Sequence, residues 1–367
     1  MKLSIVSRHL PEREGTSPGR ALLAWCDGAV SAGHDLRVWC WGPEGPMGQL
    51  PPWCTWRPLP PEAWLRMKVR AVLRPRADVV IGGWEPDPGA VCVADDPVSF
   101  PAVARFHPNV LTQHYLTKLD APALARRELR DRQDLRAETR NALGADVVVA
   151  YSERVATALG VPATAVPIAY PVPPEPLPLV DEPVAVLLAD WRWPPNQRAL
   201  RLLLDAWPEV LARVTGAQLV LAGRGLDTEA PMGPNVRAIG EVPEAVDALA
   251  LASVFAFPCP ETSGPKVKVI EAMAFGLPVV TTVAGAEGVW ADPGRDLLVT
   301  DEAGFAGALA SALADSGRRA ELAIAARTAI VTHHAGEAAA RAKIAAIAAG
   351  IAAPRSDRRA PEPPRPG

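Results

Sequence analysis

Short apolar runs alternate with longer polar or amphipathic segments along most of the chain. Near the N-terminus the apolar run KLSIVS precedes a helical pattern from Gly19 to Gly33, which leads into a second apolar run, LRVWCW. This order predicts a β–α–β unit. Further runs (DVVIGG, NVLTQ and DVVVAYS) are separated by longer segments, as parallel strands joined by crossovers must be. The first half is therefore predicted to form an open α/β sheet.

The same alternation begins again after a proline-rich segment. YPVPPEPLPLVDEP, residues 170–183, carries six prolines in fourteen residues, and it cannot form a helix or a central strand. We interpret it as a semi-rigid linker. Beyond it, apolar runs such as VAVLLAD, QLVLAG, SVFAFPC and LPVVTT alternate with helical patterns. The second half is therefore predicted to form a second doubly wound sheet.

The length of 367 residues fits two domains with short additions. Alanine-rich sequence from Asp301 to Ala353 predicts helices, and we expect the last of them to return to the first domain. The predicted divisions are an N-terminal domain over 1–169, the linker 170–183, a second domain over 184–330, a returning helical segment over 331–353 and a disordered tail over 354–367.

Charge and composition exclude several classes of protein. The net charge of −3 gives no field that would recruit nucleic acid. The apolar stretch from Ile344 to Ala353 has about half the length that a bilayer core requires. The N-terminus lacks a secretory signal pattern, and the five cysteines have no metal-ligand spacing. We therefore expect a cytoplasmic protein, with peripheral contact with a membrane left open; the Ala, Arg, Gly and Pro bias suggests a bacterial source.

The loop after SVFAFPC is the first candidate for chemistry, because ligands of open α/β sheets collect beyond the carboxyl ends of strands. Gly264 lets the backbone approach a ligand, and Pro265 suits a first helical turn. The N–H groups near Lys266 and Val267 are expected to be free to bind that ligand. Lys266 and Lys268 next to Val267 oppose the helix dipole unless an anion binds there. The pattern favours a phosphate site. The alternative is that both lysines point to different sides and are solvated.

Glu271 is one turn further along the same predicted helix. Its neighbours in VIEAMAFG are mostly apolar, so the carboxylate is expected near the core boundary, where an ionised group requires partners. Two hydroxyls of a ribose would supply such partners. A salt bridge to a basic neighbour is the alternative.

Together these segments resemble the nucleotide-sugar signature of family 4 glycosyltransferases. The resemblance rests on FAFPCPETSGPKVKVIEAMAFGLPVVTTVAGAEGV and extends back through VRAIGEVPEAVDALALASV, QLVLAGRG and LLADWRWPPNQRALRLLLDAWPEV. The first half is similar to the family's acceptor domain through AGHDLRVW, TQHYL and ALGADVVVAYSERVATALGV. The resemblance implies the GT-B fold: two facing Rossmann-like domains with an interdomain cleft and a C-terminal helix that returns to the first domain.

The resemblance also implies a metal-independent enzyme that transfers a sugar from a nucleotide diphosphate donor with retention of configuration. His114 matches the family's inter-domain histidine, and Lys266 lies beside the leaving diphosphate. Glu271 matches the carboxylate that binds the ribose. The remaining implied donor-binding residues are Gly15, Arg192 or Arg198, Gly223, Arg224, Gly240, Val242, Ser263, Gly264, Pro265, Val267 and Lys268.

One departure from the family concerns the donor sugar. The family commonly has two glutamates eight residues apart, whereas Ser263 lies eight residues before Glu271 and Glu261 lies ten before it. Either a shifted loop brings Glu261 into the site as a catalytic residue, or Gly264 and Lys266 serve instead. Another departure is the absence of the usual lysine from ADWRWPPNQR.

The resemblance implies no cofactor, since the nucleotide diphosphate sugar is a co-substrate. The acceptor is an unidentified hydroxyl on a small molecule, a polysaccharide or a lipid-linked sugar. Two other functions stay open. The missing glutamate and the altered basic loop suit a catalytically silent GT-B subunit that stabilises a partner enzyme. A nucleotide-sugar epimerase would need acid and base groups at the sugar ring, for which His114 is one candidate.

Overall fold

The computed structural model describes residues 1–12, 16–42, 45–46, 48–58, 84–114, 125–229, 232–261 and 264–353, without the side chains of 125–134. Gly15, Ser263, the predicted strand DVVIGG and the predicted tail 354–367 lie outside the described residues. The chain divides into two compact units. The first contains residues 1–171 and the C-terminal segment from Ala335, and the second contains most of residues 172–334.

The first unit is built on a parallel sheet whose described strands have the order β3-β2-β1-β4-β5-β6-β7. Its central strands are buried almost throughout, as expected for a sheet covered on both faces. The strand order reverses between β1 and β4, the position at which ligands bind in doubly wound folds. The strands are β1 Lys2–Ser7, β2 Asp35–Gly42, β3 Cys54–Pro58, β4 Val91–Ala94, β5 Asn109–Gln113, β6 Val147–Ala150 and β7 Thr164–Ala165.

Four helices accompany these strands in the described part of residues 1–171. Hydroxyl side chains cap two of them: the Thr16 hydroxyl accepts from the Gly19 N–H, and the Ser152 hydroxyl accepts from the Val155 N–H. The helices are α1 Ser17–Ser31, α2 Phe100–Val103, α3 Ala125–Gly144 and α4 Glu153–Ala158.

The second unit also has a parallel sheet, with the described strand order β10-β9-β8-β11-β12-β13. In order of appearance this is 3-2-1-4-5-6, the Rossmann arrangement, and the order reverses between β8 and β11. The strands are β8 Val184–Leu188, β9 Gln218–Ala222, β10 Val236–Gly240, β11 Val254–Phe257, β12 Val279–Thr282 and β13 Leu298–Thr300.

The helices of the second unit pack on this sheet and on one another. The first of them buries Ala199, Leu203, Trp207 and Val210 on one face, the spacing of an amphipathic helix. The alanine-rich region forms separate helices. The described helices are α5 Pro194–Arg213, α6 Ala245–Leu249, α7 Val267–Ala274, α8 Phe305–Ala314 and α9 Ser316–His333.

The last helix, α10 Gly336–Ala352, belongs to the first unit and packs against α1. The two helix backbones touch, because a Cβ atom on Gly28 would collide with the Gly336 carbonyl group and one on Gly336 with Ala24 O. The structure thus confirms two Rossmann-like α/β units and the return of a C-terminal helix to the first one. Among the described residues, no helix is both long enough and apolar enough to cross a bilayer.

Candidate active site

The candidate site of the second unit begins at the carboxyl ends of β8 and β11, where the strand order reverses. Ala189 to Arg192 follow β8, and Pro258 to Glu261 follow β11. Because the strands are parallel, both segments emerge at the same edge of the sheet as the turns after β9 and β10. Four loops of the family resemblance therefore share one edge.

Gly223 and Gly240 join two of these loops. Gly223 N–H donates to Gly240 O over 2.7 Å, and both glycines have a positive φ, of 120° and 74°. A Cβ atom on Gly223 would collide with Ala189 O, so only glycine fits where these backbones approach. Val242, two residues after Gly240, is half-buried.

Arg224, between the two loops, lies at the surface. Its Nε donates to Glu241 Oε1 over 2.8 Å, and both side chains are more than half exposed. An exposed ion pair of this kind contributes little to stability. The Arg224 guanidinium is thus free to exchange its partner at low energetic cost.

Gly264 to Lys266 lead into α7, and Gly264 is buried with a φ of 102°. Two expectations about this turn are wrong. Pro265 precedes the helix, because Lys266 is the N-cap residue and α7 begins at Val267. The Lys266 N–H is also engaged, since it donates to Glu287 O over 3.2 Å.

The N-terminus of α7 still offers donors. The Lys266 side chain does not cap the N–H groups of the helix, and within the described residues no acceptor receives the N–H groups of Val267 or Lys268. N–H groups in a first helical turn combine with the helix dipole to favour an anion. The start of α7 therefore has the chemistry of a phosphate site.

Lys266 is buried at this turn. Its side chain is 9% exposed, and its Nζ lies 3.6 Å from Glu287 Oε2, whose side chain is 6% exposed. The alternative that this lysine is simply solvated is therefore wrong. A nearly buried cation thus lies beside the start of α7, where the backbone favours an anion, and Glu287 balances its charge.

Lys268 is held by contacts from two other elements. Its Nζ donates to Asn196 Oδ1 over 2.7 Å and lies 4.5 Å from the centre of the Phe257 ring. Asn196 in turn donates to Asp190 O over 2.7 Å. Burial lowers the pKa of Lys268 to about 8, because desolvation disfavours the ammonium form. The solvated alternative is wrong for this lysine as well.

Glu271 lies one turn beyond these lysines and is 7% exposed. This confirms its expected place at the core boundary. Glu271 and Lys268 are three residues apart and share one side of α7. The carboxylate acts on Lys268 by favouring its charged form. Its assignment to a ribose, and the alternative of a salt bridge, stay predictions.

Glu261 and Arg198 form an ion pair between the loop after β11 and α5. Arg198 Nη2 donates to Glu261 Oε1, and the two side chains are 45% and 32% exposed. The sequence predicted both as site residues but not their contact. The pair thus links Arg198, a candidate for binding phosphate, to Glu261, the candidate replacement for the family's missing glutamate.

Arg192 is directed to a carboxylate of its own loop. Its Nε and Nη2 donate to the two Asp190 carboxylate oxygens over 2.9 and 2.5 Å. These hydrogen bonds hold the pKa of Asp190 at about 2. The Arg192 side chain is exposed, so another anion can reach it. To bind that anion, Arg192 must break its ion pair with the ionised Asp190 carboxylate.

His114, in the first unit, directly follows β5 and is 7% exposed. Its Nε2 lies 2.5 Å from Asp95 O, and its ring packs edge-on to Tyr151 with 4.8 Å between centroids. Burial lowers the pKa of His114, so the ring is neutral near pH 7. Gly15 and Ser263, both predicted to bind the donor, lie outside the described residues.

Residues 182–315 match the sequence model of the family described as Glycosyl transferases group 1. That segment holds β8 to β13 and every described site residue of the second unit. We call residues 182–315 the group 1 domain after the family model that they match. The group 1 domain is the part of the chain in which the resemblance is most extensive, and its reversal of strand order carries the site described above.

A curated relative shares this region. Phosphatidyl-myo-inositol mannosyltransferase from Mycolicibacterium smegmatis is 31% identical over 139 residues. The match covers 35% of this chain and 36% of the relative. The chain thus matches about a third of the length of that relative.

Solved structures resemble the whole chain at low identity. Sucrose-phosphate synthase from Thermosynechococcus elongatus has a TM-score of 0.69 at 16% identity, covering 95% of this chain and 99% of its own. A TarM variant from S. aureus, solved with UDP, has a TM-score of 0.68 at 9% identity, covering 96% and 100%. Anabaena HepE with UDP has a TM-score of 0.65 at 15% identity, covering 95% and 100%. Together with the group 1 domain, these similarities give the chain the GT-B fold.

Proposed function

We propose that the chain transfers a glycosyl group from a nucleoside diphosphate sugar to a hydroxyl group. The observation that carries this proposal is the start of α7 in the group 1 domain. There, uncapped N–H groups meet Lys266 and Lys268, of which Lys268 is fixed by Asn196 and Phe257. An enzyme that expels a diphosphate requires such a fixed set of donors and cations.

The donor is proposed to lie along the carboxyl edge of the second sheet. Its diphosphate contacts Val267 and Lys268 at the start of α7, and its ribose hydroxyls bind Glu271. The base lies at the loops that begin at Gly223 and Gly240, at the carboxyl ends of β9 and β10. Arg198 and Arg192 reach the phosphates by exchanging carboxylate partners.

Charge development explains why these groups accelerate the reaction. As the bond from sugar C1 to the phosphate oxygen breaks, negative charge grows on the diphosphate, and each well-placed donor contributes about 2.7–4 kcal/mol to the transition state. The acceptor oxygen forms the new bond to C1, and its proton passes to the departing phosphate. Attack from the face that the phosphate leaves gives retention. Cationic side chains supply the charge compensation, so we propose no metal and no cofactor.

The acceptor is proposed to be a hydroxyl of a small molecule, a polysaccharide or a lipid-linked sugar. The matched relative is named for a phosphatidyl-myo-inositol acceptor, and the TarM structure contains a GlcNAc-glycerol. A lipid-linked acceptor would bring the protein to the cytoplasmic membrane surface. The five free thiols suit the reducing compartment on that side.

A panel of nucleoside diphosphate sugars tests the proposal. We expect calorimetry to find at least one donor that binds, and we expect release of its nucleoside diphosphate when acceptors are added. NMR of the product tests retention at the anomeric carbon. A matched control is Arg213→Met, which removes an exposed cation of α5 that pairs with Glu209 and should leave donor affinity unchanged. Absence of binding by every donor would favour the silent-subunit alternative and overturn the proposal.

A further inference from the structure

The first unit has its own reversal of strand order, between β1 and β4, and buried charges lie there. Asp95 and Asp96 directly follow β4, and each is 1% exposed. Lys343 of α10 reaches the same place and is also 1% exposed. Charged groups at this depth are costly unless each is paired, so their arrangement requires an explanation.

Lys343 is fully engaged by the first unit. Its Nζ lies 3.3 Å from Asp95 Oδ1 and 3.2 Å from the Tyr151 hydroxyl. It also lies 4.0 Å from the centre of the Trp25 ring of α1. The close approach of α10 to α1 therefore carries this ammonium group to the end of β4.

Asp95 joins Lys343 to His114 through different atoms. Its carboxylate Oδ1 faces the lysine, while its backbone oxygen lies 2.5 Å from His114 Nε2 and its Oδ2 lies 3.9 Å away. A carbonyl oxygen only accepts, so Nε2 carries the proton. The lone pair of the neutral ring is then on Nδ1.

The Asp95 carboxylate alone would favour a protonated His114, and the Lys343 ammonium opposes this. We propose that Lys343 and Asp95 are positioning residues that hold His114 as a neutral imidazole with its Nδ1 lone pair directed to a substrate hydroxyl. The effect on turnover rests on the proposed function, whereas the charge and tautomer of His114 do not.

The other charged and titratable groups around His114 are compatible with this arrangement. His9, after β1, has its ring 5.9 Å from the His114 ring, and burial lowers its pKa to about 4. Asp96 is compensated by Arg8, whose backbone N–H donates to it over 3.0 Å and whose Nε lies 3.8 Å away. Each carboxylate thus has a cation, and both histidines are neutral.

NMR titration of labelled full-length protein tests the inference without substrate, with the His114 signals assigned by comparison with His114→Gln. In the wild type we expect the Nε2–H tautomer and a pKa of His114 below the ordinary histidine value. Lys343→Met should raise the pKa of His114, because the Asp95 charge is then unopposed. Asp95→Asn should lower it further, and the double variant should reverse the rise. Arg341→Met, which removes an exposed cation of α10 that pairs with Glu337, is the control and should change nothing.

Turnover provides the second measurement. Lys343→Met should move the acidic limb of the kcat profile to higher pH, so that activity below the limb falls about tenfold for each unit of the rise. Lys343→Arg should restore the wild-type profile. An Nδ1–H tautomer, or an unchanged His114 titration in Asp95→Asn, would overturn the inference even if Lys343→Met fails to fold. Absence of transfer by the wild type would instead overturn the proposed function and leave the titration result standing.

Discussion

At the residue scale, Lys268 should make donor binding depend on pH. Its pKa of about 8 in the free protein will rise when a diphosphate binds, because an opposite charge favours the ammonium form. Nucleoside diphosphate affinity should therefore be constant below pH 7 and fall above pH 8, by up to about tenfold per pH unit. Calorimetry across pH 6.5–9.5 measures this. Lys268→Arg should remove the fall in affinity above pH 8. If affinity still falls with the same slope in that variant, another group causes the pH dependence.

Glu271 gives a second prediction at this scale. Hydrogen bonds to a charged group are worth about 1.5–3 kcal/mol, so Glu271→Gln should weaken donor binding about tenfold to a hundredfold. The double-mutant cycle uses a nucleotide that lacks both ribose hydroxyls. This nucleotide should bind the wild type more weakly than the complete nucleotide does. Its affinity should not fall further in Glu271→Gln. Equal losses for both nucleotides, with an unchanged melting temperature, would contradict the ribose assignment.

The same residues show how far sequence patterns can locate a site. The burial of Glu271 followed from its apolar neighbours, because helical periodicity places positions relative to the core. The ion pair between Arg198 and Glu261 could not be predicted, since the two residues are 63 positions apart. The bond from Lys266 N–H to Glu287 O likewise depends on the path of a distant loop. Local chemistry was visible in the sequence, and contacts between loops were not.

At the element scale, the contact of α1 with α10 depends on Gly28 and Gly336. Gly28→Ala places a methyl group against the Gly336 backbone, and such overpacking costs about 1–3 kcal/mol. Gly317→Ala in α9 is a matched control, because its nearest neighbour would be at ordinary contact distance and alanine favours a helix. Thermal unfolding should show a lower melting temperature for the first variant and an equal or higher one for the second. A melting temperature of Gly28→Ala equal to that of the wild type would disprove the close approach.

Helix boundaries in the alanine-rich region show why some elements were missed. The pattern predicted helices over Asp301 to Ala353 but not their boundaries. Asp315 sets one boundary, because it ends α8 and caps α9 by accepting from Arg318 N–H. Aspartate is a favoured N-cap, but it is also common on solvated helix faces. The short buried strand β4, VCVA, was not among the predicted strands. Short buried strands lack a period that sequence alone can distinguish.

At the scale of the whole molecule, the two doubly wound sheets were predicted because strand and helix patterns alternate throughout both halves. Both sheets reverse their strand order, and at each reversal a collection of polar groups lies at the carboxyl ends of the strands. The second collection contains the motifs of the family resemblance. The first depends on Lys343, which is 248 residues from Asp95. Only the return of α10 to the first unit brings them together, so no local pattern could indicate that contact.

The buried histidines of the first unit predict that the protein is less stable at acid pH. Burial lowers the pKa of His9 from 6.5 to about 4 and lowers that of His114. Between pH 6.5 and 4 the unfolded chain binds protons that the folded chain does not, so the free energy of unfolding falls as the pH falls. His9 alone contributes up to about 3 kcal/mol, since one pKa unit corresponds to about 1.4 kcal/mol. Denaturant unfolding at pH 7, 6 and 5 measures the loss. A variant with both His9→Gln and His114→Gln should lose less stability over that range, and a loss equal to the wild type's would place the effect in other groups.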